Sequence, residues 1–107
     1  MTASEFETRA DAALEAIARA LEDCGADCDC APKGEGVLEL EFADGGRIVV
    51  NRHSAAQEIW VAARSGGFHF RWNGSEWVDT REGAELLAAL SRLVSEQSHQ
   101  AVILKRP

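Results

Sequence analysis

Between Val37 and Asp79 apolar residues recur at every second position in short runs, and the connectors between runs are too brief to carry a parallel crossover. No other feature of the chain restricts its fold so strongly. "GVLELEF" puts Leu38, Leu40 and Phe42 on one side and Val37, Glu39 and Glu41 on the other, as in a strand buried on one face. "ADGG" at 43–46 is a tight hairpin turn, followed by the strands "RIVVNR" and "AQEIWVAAR". In "GGFHFRWNG", Phe68, Phe70 and Trp72 alternate with His69 and Arg71, and "EWVD" completes the run after the Asn73-Gly74 turn. With the period-two stretch "DCDCA" ahead of them, these runs predict an antiparallel sheet of five to six strands.

Helical patterns bracket the sheet. Ser4 is placed to cap a helix running to about Glu22, whose positions Phe6, Ala10, Leu14, Ile17 and Leu21 share one face, and Gly25 supplies its stop. Asp79 and Glu82 in "DTRE" resemble a capping box, ahead of a second amphipathic helix marked by Leu86, Leu87, Leu90, Leu93 and Val94. The tail "AVILKRP" either lies against the core or adds a small strand. Two one-sided helices and a one-sided sheet bury each other most simply as an α+β two-layer sandwich, with the N- and C-terminal helices on the same sheet face. The chain has no repeat, linker or low-complexity stretch, so residues 1–107 form a single domain.

Net charge is −7, and residues 1–30 carry eight acids against two bases, so −6 of it resides there. Such a field repels phosphates and attracts cations or basic protein surfaces, which argues against nucleic-acid binding. No apolar run approaches the roughly 20 residues a membrane helix needs. The opening "MTASEF" lacks a secretory pattern, which predicts a cytoplasmic protein, and three cysteines in a reducing compartment argue against a disulfide framework.

On the first helix Glu7, Asp11, Glu15 and Glu22 form a stripe centred about 105° around the axis from the apolar one. Asp23, Asp27 and Asp29 extend it, because period two sends Asp27 and Asp29 outward and Cys28 and Cys30 inward as small buried hydrophobes. Cys24, Cys28 and Cys30 lack the paired Cys-x-x-Cys spacing of zinc sites, and Cys24 at the helix end is the thiol open to oxidation or a soft ligand. The carboxylates offer only hard oxygen donors, suited to Fe³⁺, Mn²⁺, Ca²⁺ and less selectively Fe²⁺. Neighbours four apart share an ion only with water completing its shell, so binding is weak and exchangeable. The alternative is a solvated face serving solubility.

Trp60 alternates with Ile59 and Val61, which claim the core, so it projects from the open sheet face as a partner anchor or as a ring lying flat on its own sheet. His69 falls on the same face, with His53 beside Asn51 on the neighbouring strand. The opening "SEF" with its acidic helix, "DCDC", "GVLELEF", "NRHSAAQEIWVAARSGGFHF" and "EWVDTREG" together resemble the frataxin family, bacterial CyaY type. Asn51, Arg52, Ile59 and Trp60 match the family pattern, while His53, Ala55 and Glu58 replace a Gln, a Pro and a second Gln.

The resemblance implies the frataxin α-β sandwich and iron bound along the acidic edge of the first helix and first strand. It also implies contacts with a cysteine desulfurase and an iron-sulfur scaffold protein, made by Glu22 and Asp23 of the ridge and by Trp60, Asn51, Arg52, His53 and His69. The expected protein is a monomer, with iron-dependent oligomers as a variant, that regulates cluster assembly or supplies its iron. Ferroxidase or iron-storage activity on the ridge, and haem or redox sensing through Cys24 or His69, are the alternative readings.

Overall fold

The computed structural model describes residues 1–106. Helix α1 (Ala3–Asp23) leads into six strands, β1 (Cys28–Pro32), β2 (Val37–Phe42), β3 (Arg47–His53), β4 (Glu58–Ala63), β5 (Gly66–Trp72) and β6 (Trp77–Asp79), and α2 (Leu86–Ser98) follows. The strands lie in sequence order, each antiparallel to the next. This is the layout that short connectors impose. None of the described helices is long and apolar enough to cross a membrane.

Both helices pack on one sheet face. Phe6 and Ile17 of α1 and Leu90 of α2 meet Leu40, Ile48, Ile59 and Phe70 of the sheet, all of them fully buried. Each such aliphatic or aromatic side chain contributes about 1.5–3 kcal/mol when removed from water, so this interlayer seam dominates stability.

The helix starts differ from the sequence expectation. Thr2, not Ser4, caps α1: its hydroxyl accepts from the Glu5 amide at 3.1 Å while the Glu5 carboxylate accepts from the Thr2 amide at 3.3 Å. Thr2-x-x-Glu5 and Ser4-x-x-Glu7 both spell a capping box, and the earlier one gives a longer helix. Asp79 and Glu82 do not cap α2. Asp79 ends β6 buried, its carboxylate accepting from the Arg81 amide at 2.8 Å, and the chain turns through Gly83 at φ +75°. Glu85 caps instead, its two oxygens accepting from the Leu87 and Ala88 amides.

The tail lies against the core without forming a strand. Val102 and Leu104 are buried, and the hydroxyls of Ser95 and Ser91 on α2 accept from their amides at 2.9 and 2.8 Å.

Candidate metal ridge and docking face

Of the seven expected ridge acids, Glu7, Asp11, Glu15, Glu22 and Asp23 are exposed on α1, Asp27 precedes β1, and Asp29 lies on β1 opposite Glu41 of β2. They are not electrostatically alike. Glu15 pairs with Arg19 at 2.7 Å one helical turn on, and Asp11 takes a hydrogen bond from Arg52. Glu7, Glu22, Asp23, Asp27 and Asp29 have no cationic partner among the described residues. Four of these five cluster where α1 ends and β1 begins, with Gly25 at φ +72° turning the chain between them. Among the described residues no three His, Cys, Asp or Glu side chains meet as a closed metal cage. Any cation on this rim would therefore meet carboxylates one or two at a time, with water filling the rest of its shell.

Beneath the rim, Cys28 and Cys30 face the helices opposite Phe42 and Leu40, half-buried. Burial, reinforced by the neighbouring Cys24 and Cys30, pushes the Cys28 thiol up to about 11, and burial followed by the Glu22 charge pushes Cys30 up as well. Cys24 is half-buried too. Its sulfur donates to the Leu21 carbonyl at 3.3 Å and accepts from the Ala26 amide at 3.4 Å, so it helps close the end of α1.

The open sheet face carries the second group of expected residues. Trp60 sits across from Asn51 on β3 and His69 on β5. Its ring is clamped on both sides: His53 stacks at a centroid distance of 3.7 Å and His69 at 4.6 Å, with planes tilted by 11° and 10°. The Ala56 amide donates to Nδ1 of His53 at 3.3 Å.

Under the stack lies Glu58, only 6% exposed. One of its oxygens accepts from Trp60 Nε1 at 2.9 Å and stands 3.5 Å from His69 Nδ1, while the other accepts from Arg71 at 2.7 Å. The Trp60 hydrogen bond, then Arg71, holds the Glu58 carboxyl below its ordinary range against the opposing effect of burial. In the sequence Glu58 stands out only as a replacement for Gln, and Arg71 only as an alternating strand position beside Trp72. The available signal was parity: Glu58, Trp60 and Ala62 share a face, and Arg71 is two positions from His69.

Arg52 is separated from this group. It has the parity of Ile48 and Val50, so its side chain passes to the helix side and reaches Asp11 and, at 3.2 Å, Glu35. Gly36 makes room for it, since a Cβ there would stand 2.6 Å from the guanidinium Nε. The structure thus brings Asn51, His53, Trp60 and His69 together and attaches Arg52 to the ridge.

A model of the frataxin-like domain matches residues 1–100. The iron-sulfur cluster assembly protein CyaY of Dechloromonas aromatica is 56% identical over 105 residues, spanning 98% of this chain and 100% of that protein. The frataxin of Psychromonas ingrahamii superposes with a TM-score of 0.90 at 32% identity, covering 99% of this chain and all of the other. The trimeric yeast frataxin of Saccharomyces cerevisiae, crystallised as a ferrous complex, superposes with a TM-score of 0.59 at 28% identity over 94% of this chain and 88% of that one. A helix-bracketed six-strand sheet and whole-length similarity agree: the chain belongs to the frataxin family.

Proposed function

We propose that the protein serves iron-sulfur cluster assembly in the cytoplasm, carrying iron on the acidic rim and docking on a cysteine desulfurase and an iron-sulfur scaffold protein. The observation that carries this reading is the group Glu22, Asp23, Asp27 and Asp29, exposed at one corner and without a cationic partner among the described residues. Crowded like charges repel one another, and either a cation or a basic surface relieves that repulsion. Iron is cargo here. Water-rich coordination lets it leave as readily as it arrives, and a partner competing for the same carboxylates displaces it.

Similarity to the iron-sulfur cluster assembly protein of Dechloromonas aromatica supports the pathway, and the ferrous complex of the yeast relative supports the cargo. Charge steers the encounter, and the clamped Trp60 on the open face fixes register with the second partner. Calorimetric titration of a Glu22→Gln, Asp23→Asn, Asp27→Asn, Asp29→Asn variant tests the assignment. Loss of both Fe²⁺ heat and desulfurase heat is expected; undiminished binding of either removes the rim from that role.

A further inference from the structure

On the flank of α1 away from the acids, a cavity of about 370 Å³ opens between the two helices and the β5–β6 hairpin. The small side chains Ala12, Ala13 and Ala16 form its α1 wall, and Trp72 and Trp77 form another, edge to face at 5.6 Å and 63°. A volume of this order lies within the roughly 300–1,000 Å³ range of small-molecule sites, and the lining is mostly apolar, as in such sites.

The charges at its rim are unequally engaged. Glu85 commits both oxygens to the first turn of α2, and Glu76 pairs with Arg106 at 3.5 Å. Arg9 lies with its guanidinium 4.7 Å from the centre of the Trp72 ring and forms no salt bridge among the described residues, although the Glu5 carboxyl one helical turn away feels its charge. Its N–H edge remains available to a planar anion, while stacking on the indole fixes its plane. We propose that this cavity binds a small amphipathic monocarboxylate, with its apolar body between the alanine wall and the tryptophan wall and its carboxylate on Arg9. The site is independent of the iron reading, since the helical turn places Arg9, Ala12 and Ala16 on the opposite flank from Glu7, Asp11 and Glu15.

Titration with octanoate and octylammonium below their micellar concentrations and with octanol below its solubility limit, followed through the indole N–H signals in NMR, tests the site. Octanoate is expected to shift Trp72 and Trp77 saturably and to leave Trp60 in place, with octanol about tenfold weaker for want of the charge-assisted hydrogen bond. Arg9→Gln, an exposed change, should reduce octanoate to the octanol level, and Ala16→Leu should abolish binding by filling the cavity. Should Ala16→Leu fail to fold, Ala12→Leu at the exposed rim provides the same block. Equal binding of the three probes, an unaffected Arg9→Gln variant, or no saturable shift would each overturn the proposal. Because none of these variants touches the rim carboxylates, their Fe²⁺ titration remains a separate measurement.

Discussion

Truncating Glu58 isolates the polar support beneath the stacked Trp60 ring. Glu58→Ala removes the acceptor of Trp60 Nε1 at 2.9 Å and the carboxylate that Arg71 meets at 2.7 Å. The first loss costs about 1 kcal/mol, because the half-buried indole N–H has no other acceptor among the described residues. The second is discounted: the Arg71 side chain is 65% exposed and returns to water, leaving about 1 kcal/mol. A total near 2 kcal/mol lowers the melting temperature by about 8–10 °C in a domain of this size. Glu58→Gln keeps an acceptor for the indole and forfeits the charge, so it should lose about half as much.

The pH dependence follows from the depressed carboxyl. Glu58 binds its proton less readily folded than unfolded, so its contribution is fully present above the unfolded pKa and is lost as pH falls through the folded one. The gap in stability between wild type and Glu58→Gln should therefore hold at neutral pH and close on acidification below about pH 4.3. Circular dichroism melts of the three proteins at neutral and acidic pH measure this. A Glu58→Ala melt within 2 °C of wild type, taking that as about the scatter of such melts, would refute the idea that this carboxylate anchors the stack.

Trp60→Ala should retain a cooperative melt, because the ring stacks on imidazoles outside the core, and should weaken scaffold or desulfurase binding by about 2 kcal/mol, roughly thirtyfold, in calorimetry. Arg52→Ala releases Asp11 and Glu35 from their cation, so Fe²⁺ affinity should rise roughly twofold while the fold loses on the order of 1 kcal/mol of packing and pairing; an unchanged iron isotherm would show that Asp11 is remote from the cation. With its thiol pushed up to about 11, Cys28 should react with iodoacetamide roughly a hundredfold more slowly than a free thiol near pH 8; alkylation at the free-thiol rate, read by mass mapping, would contradict its placement beneath α1.

The layers were legible because they follow from period and connector length. Leu38, Leu40 and Phe42 alternate, Phe6 to Leu21 recur at helical spacing, and all of them are buried in the core. The helix starts were less legible, since two capping boxes compete before α1 and a buried Asp79 imitates one before α2. Exposure of the ridge acids was readable from one helical wheel, whereas their neutralisation was not. Arg52 comes to Asp11 from a strand 41 positions along the chain, and only tertiary packing makes that pair. Similarly, parity placed Trp60 on the open face, but the double imidazole clamp and the buried Glu58 depend on cross-strand register. A hydrogen bond between neighbouring strands has no signature in a single strand's sequence.

Amide chemical-shift mapping of the whole protein, titrated in parallel with Fe²⁺ under anaerobic conditions and with purified cysteine desulfurase, bears most directly on the shared acidic rim. A shared rim requires that both titrants move the amides of residues 22–29, that the Asp11 and Glu15 amides move less, and that added desulfurase reverses the Fe²⁺ effect. Perturbations confined to separate surfaces, or iron and desulfurase bound together without competition, would contradict it.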